Sequence, residues 1–139
     1  MKQIKSKQRV KDFAEVFTAE REVKAMCDLI PCETWDNIES TFLEPACGTG
    51  NFLVEIYARK LQRCKWIADG LTALASIYAI DIQADNVNES RQRLRQMFLD
   101  KYPNANEFAV FVADEILNKN IVCGNSLEIM KEWEEQNET

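Results

Sequence analysis

Three short apolar stretches, each followed by a polar loop and then a helix-forming run, constrain this chain more than any other feature. They are Thr41 to Glu44, Ile77 to Ile80 with Asp81 at its end, and Asn120 to Cys123. None alternates strictly between apolar and polar residues, as expected for strands covered on both faces. Helical patterns lie around them. Thr18 is a good N-cap residue for a helix carrying Val23, Met26, Cys27 and Ile30 as an apolar stripe, stopped by Pro31. Further helices are predicted from Asn51 to Arg63, from Ile67 to Ala75, from Ala84 to Leu99 and from Ala105 to Leu117, with a break at Tyr102-Pro103. Strands alternating with helices fold as an α/β domain, a parallel sheet with flanking helices. Ligands of such sheets bind beyond the carboxyl ends of the strands, near the switch in strand order. Three loops are therefore candidates for a site: Pro45 to Asn51, Asp81-Ile82 and Gly124-Asn125.

Composition narrows the chemistry. At 139 residues, 46% of them hydrophobic, the chain can build one core and not two. It holds no apolar run of the roughly 18 residues that suggest a membrane span, and no apolar stretch of signal-peptide type, so a soluble cytoplasmic protein is expected. There is no histidine, which excludes histidine bases and histidine triads. The five cysteines show no CxxC spacing, so no metal site is expected; they are predicted to stay reduced and to act as small apolar residues. A net charge of −6 argues against binding nucleic acid by bulk electrostatics. Basic residues do gather at the start, where Lys2, Lys5, Lys7, Arg9 and Lys11 make residues 1–12 a flexible basic arm. The glutamates near the end (Glu132, Glu134, Glu135 and Glu138) read as a solvated tail.

The first loop is the most informative. Glu44-Pro45-Ala46-Cys47-Gly48-Thr49-Gly50 follows a strand and opens a helix at Asn51-Phe52. Its glycines allow positive φ and close approach of a ligand to the backbone, and the helix offers free N–H groups. It is not a phosphate loop, because GxxxxGK[ST] is absent, and a dinucleotide GxGxxG would need glycine where Leu53 stands. Asp81 ends the second strand, where an acid can accept both hydroxyls of a ribose. A plain cap on the following helix explains it as well.

Taken whole, Phe42-Leu43-Glu44-Pro45-Ala46-Cys47-Gly48-Thr49-Gly50-Asn51-Phe52 resembles motif I of the adenine-specific DNA methyltransferases of restriction–modification type. The resemblance implies a partial doubly wound, Rossmann-like fold that binds S-adenosylmethionine, with Glu44, Pro45, Ala46, Cys47, Gly48, Gly50, Asn51 and Phe52 around its methionine part. Val16 to Val23 resembles the family's motif X, which implies that Thr18 touches the methionine carboxylate; Ala19 stands where a proline is usual. Motif II implies Asp81 at the ribose and Ile82 against the adenine ring. Cys123-Gly124-Asn125-Ser126-Leu127 resembles motif III, with Asn125 in place of the aspartate that accepts the adenine amine. An Asn carbonyl can accept that bond without bringing charge. Read without the family, Thr18 is an N-cap and Asn125 part of a strand-to-helix turn.

The family's catalytic Asp/Asn-Pro-Pro-Tyr/Phe belongs after a fourth strand, and these residues contain no Pro-Pro. The resemblance covers roughly residues 10 to 130. It implies that residues 13–139 are the cofactor-binding part of an enzyme methylating the exocyclic amine of adenine. Catalysis and target recognition, with DNA as the partner, would need the remaining half or a partner subunit. A methyltransferase for RNA, protein or a small molecule, or a non-catalytic cofactor-binding fragment, stays open.

Overall fold

The computed structural model describes residues 20–137. The basic arm and Thr18 lie outside the described residues. A helix over 20–28 (α1) leads to the short helix α2 (Cys32–Asp36) and then β1 (Phe42–Glu44). There follow α3 (Asn51–Leu61), α4 (Ile67–Ala75), β2 (Ile77–Asp81), α5 (Ala84–Lys101), α6 (Glu107–Asn120), β3 (Ile121–Cys123) and α7 (Ser126–Asn137). The three strands form one parallel sheet in the order β1-β2-β3, with Phe42 opposite Ile77 and Ala79 opposite Ile121. The α/β class is as the sequence predicts. One detail differs: strand order does not reverse within these three strands, so the candidate loops share a carboxyl edge rather than a switch point.

The core lies between the sheet and the packed group α3, α4, α5 and α6. Ile77, Ala79 and Ile121 meet Leu53, Ile56, Tyr57, Leu74, Val87, Leu94 and Phe98 there, all buried. Side chains alternate along a strand, so Tyr78 turns to the other face, where its ring meets Trp133 of α7 edge-on at 5.5 Å. Glu132, Glu134 and Glu135 thus lie on a helix rather than in a solvated tail, and Glu138 lies outside the described residues. These three acids are exposed, while Trp133 anchors the helix to the sheet. The sequence also does not announce α2. Trp35 is what fixes it: the indole is buried, stacks on Phe42 at 5.1 Å and donates its Nε1–H to the Cys27 carbonyl at 3.3 Å. In α1, Val23 and Cys27 are buried as predicted, but Met26 is 55% exposed and does not belong to the stripe. The cysteines split: Cys27, Cys47 and Cys64 are buried, whereas Cys32 and Cys123 are exposed and serve no core. Asn120 closes α6 instead of opening β3; its side chain donates to the Ala75 carbonyl at 2.9 Å. Among the described residues, no helix is long and apolar enough to cross a membrane, and no cluster of metal-ligating side chains occurs.

Lys60 ties α3 to the segment that launches β1. The side chain is fully buried and donates to the carbonyls of Ile38 at 3.0 Å and Ser40 at 2.6 Å, with its ammonium 5.0 Å from the centre of the Phe42 ring. Burial pulls the amine down to about 8. The folded value lies below the unfolded one, near 10.4 for an ordinary lysine. Between the two, the unfolded chain binds more protons at this amine, so the contribution of Lys60 to stability rises with pH from about 8 to roughly 10.4. The thiols and phenols that burial raises, Cys47 among them, act in the opposite sense but equally in both proteins, so thermal unfolding across that range should show the wild-type midpoint gaining on that of Lys60→Met as pH rises. A wild-type midpoint that falls as steeply as that of the variant would contradict a depressed amine.

Candidate functional site

The carboxyl ends of β1, β2 and β3 bring the predicted loops together through backbone bonds. The Cys47 N–H donates to the Ile80 carbonyl at 2.9 Å, and the Gly124 N–H donates to the Asp81 carbonyl at 3.0 Å. Asp81 is the hub. Its Oδ1 accepts the Gly48 N–H at 3.0 Å, while its Oδ2 accepts the Gln83 N–H and the Asn86 Nδ2, each at 3.0 Å. The acid thus pins the turn that leads into α5, whose N-cap is Gln83 with no side-chain cap bond, and cross-links that turn to the glycine loop.

The loop itself is shaped by two glycines in the left-handed region, Gly48 at φ 53° and Gly50 at φ 96°. They differ in surroundings. A Cβ on Gly48 would meet nothing within 4 Å, so that side of the loop faces open space. A Cβ on Gly50 would lie 2.8 Å from the Ser90 Oγ, so that side is pressed against α5. Gly50 is also the N-cap of α3, and no side chain caps that helix; its first N–H groups are left for another partner.

The remaining predicted residues distribute as follows. Glu44 ends β1 half-buried; its Oε1 accepts the Ala46 N–H at 3.2 Å. Burial raises the Glu44 carboxyl above its usual range, and the Ala46 bond partly opposes that. Pro45 and Ala46 are exposed. Cys47 is buried, and desolvation pushes its thiol up to about 11, so it packs as a neutral group and is no nucleophile. Phe52 turns partly into the core. Ile82 is 75% exposed beside Asp81, an apolar side chain standing free at the strand edge. Asn125 is exposed at the start of α7, where its Oδ1 accepts the Glu128 N–H at 3.1 Å. It therefore realises the N-cap geometry, with one lone pair of that oxygen still open.

Sequence reasoning missed the support beneath these loops. Asn86, Ser90 and Arg93 sit at i, i+4 and i+7 on α5, one stripe of that helix. Asn86 holds Asp81. Ser90, fully buried, donates to the Gly48 carbonyl at 3.1 Å. The Nη1 of Arg93 donates to the Thr49 carbonyl and to the Asn51 Oδ1, each at 2.9 Å. Polar residues at helical spacing just after the Asp81 loop were the available signal.

A groove of about 380 Å³ lies elsewhere, lined by Thr41, Leu43, Tyr78, Met130 and Trp133 among others. None of the predicted site residues lines it. The candidate site is instead an open edge built from backbone N–H groups, one carboxylate and an exposed apolar side chain. That arrangement suits a ligand with a hydroxylated nucleoside at one end and an anionic group at the other.

The chain is 35% identical over 83 residues to the Type II methyltransferase M.VspI of Vibrio sp. (strain 343). The match takes in 59% of this chain and 17% of that protein, so the chain spans about a sixth of its relative's length. The similarity supports a methyltransferase family. No family model and no solved structure matches.

Proposed function

We propose that this chain is the S-adenosylmethionine-binding part of a DNA methyltransferase that acts on the exocyclic amine of adenine. The observation that carries the reading is the Gly48 N–H bond to Asp81 Oδ1, which joins the motif-I-like loop to the acid of the second strand at one edge of the sheet. The residues suit the cofactor. The open space at Gly48 and the uncapped start of α3 can take its methionine part, with Glu44 and Asn51 beside them. Asp81 would hold the ribose hydroxyls, Ile82 would lie along the adenine, and Asn125 would accept the adenine amine. When bound, the cofactor supplies a methyl group on a sulfonium, already a good leaving group. The chain's own part is therefore to hold and orient, and chemistry of that kind needs no histidine base.

The DNA substrate and the adenine target rest on the motif resemblance; the relative, a Type II methyltransferase by name, supports the methyl-transfer class. DNA, and the remaining half of the enzyme or a partner subunit, are the partners this reading calls for. A target base would have to leave the helix and be held in line with the methyl group. The 139 residues contain no Pro-Pro motif for that, and they are not expected to transfer methyl groups by themselves. Calorimetry with S-adenosylhomocysteine, NAD and ATP tests the ligand class. Binding of the first and not of the other two is the expected outcome, and a preference for NAD would sink the proposal.

A further inference from the structure

Arg93, like Arg91 on the same helix, directs its guanidinium at carbonyl oxygens rather than at an acid. It is half-buried, and among the described residues no acidic side chain pairs with it, whereas Arg59, Arg63 and Arg95 each meet a carboxylate. Both of its bonds into the loop leave from Nη1, one to the Thr49 carbonyl and one to the Asn51 Oδ1. The second bond has a chemical consequence. It turns the Oδ1 end of the Asn51 amide toward Arg93 and takes one of that oxygen's two lone pairs, so the end directed away from the arginine is the Nδ2 donor. Arg93 thus sets three things at one place: the path of the glycine loop, the donor character of Asn51, and an unneutralised positive charge next to the uncapped start of α3. All three favour an anion.

We propose that Arg93 is a positioning residue that makes the loop selective for the carboxylate-bearing end of its ligand. This rests on the reading of the loop as an S-adenosylmethionine site, where that end is the amino-acid part. Arg93 acts on the ligand through Asn51 and through its charge, and the nucleoside end, at Asp81, should be indifferent to it.

Two ligands separate these roles. S-adenosylhomocysteine carries the amino-acid part; 5′-methylthioadenosine keeps the adenosine and the sulfur but lacks the amine and carboxylate. Binding of both to the full chain is measured by calorimetry. Arg93→Met should weaken S-adenosylhomocysteine by about tenfold or more, the scale of one hydrogen bond to a charged group. Methylthioadenosine should stay within about twofold. Arg93→Lys, which keeps the charge, should recover most of the lost affinity. Should Arg93→Met fail to fold by circular dichroism, Asn51→Asp serves instead. It sets a carboxylate against Nη1 and neutralises it, and an acid in the first turn of α3 suits the helix. The same selective loss is expected. Equal weakening of both ligands would mean that Arg93 only maintains loop shape, and no weakening would mean that its charge is irrelevant; either overturns the inference. A wild-type protein that binds neither ligand would overturn the reading of the site itself, and this inference with it.

Discussion

Gly50→Ala is expected to unfold the cofactor loop and lower the thermal midpoint on the order of 10 °C, whereas Gly48→Ala should leave the fold nearly intact. The two glycines are one residue apart and both lie in the left-handed region. An alanine at either position carries the backbone penalty of that region, about 1 kcal/mol. Only Gly50 adds a collision. Its new methyl would sit 2.8 Å from the Ser90 Oγ, 3.2 Å from the Ser90 Cβ and 3.3 Å from the Ser90 Cα. The last two cannot swing aside, because Ser90 is fully buried on α5. Overpacking of that kind brings the total to about 2–4 kcal/mol. Gly48→Ala meets nothing in the protein, and its methyl enters the open space that the proposed function assigns to the ligand. Thermal unfolding and calorimetry together separate the two effects: Gly50→Ala fails in both, Gly48→Ala chiefly in binding. Equal melting of the two variants would refute the packing argument.

Asp81→Ala should reduce binding of S-adenosylhomocysteine about a hundredfold. A hydrogen bond to a charged group is worth about 1.5–3 kcal/mol, and the ribose would lose at least one. The loop also loses its anchor, since the Gly48 N–H, the Gln83 N–H and the Asn86 side chain all converge on this carboxylate. Asp81→Asn should fare little better. Its amide can accept at one end only, so its NH2 must face one of those donors. Circular dichroism keeps the test clean, and a folded Asp81→Ala protein that binds like the wild type would end the ribose assignment.

The order of strands and helices was legible because each strand is a short apolar run with a turn signal behind it, and because α5 carries Val87, Leu94 and Phe98 at helical spacing. The loops that gather at the site were legible for the same reason: a strand end fixes where its loop must go. What escaped was held by contacts distant in sequence. Helix α2 has five residues and no period to detect; it exists because Trp35 finds Phe42 and Cys27. The glutamates of α7 hide one residue, Trp133, whose partner Tyr78 lies on β2, with three elements between them along the chain. Lys60 follows Phe52 and Ile56 at helical spacing, but only the fold supplies the two carbonyls that hold its buried amine. Ser90 and Arg93 carry no motif, and their role appears once α5 is laid under the glycine loop.

The convergence on Asp81 also bears on the thermodynamics of recognition. Cys47, Gly48 and Gly124 each spend their amide on β2, at 2.9–3.0 Å. Their backbone dihedrals are fixed by folding, so the entropy of ordering those segments, about 1–2 kcal/mol per residue, is already lost before any ligand arrives. Association then carries mainly the translational and rotational penalty of the ligand itself. A cradle of this kind favours rapid capture with little rearrangement, and it makes affinity depend on the integrity of a sheet edge rather than on the closing of a flap.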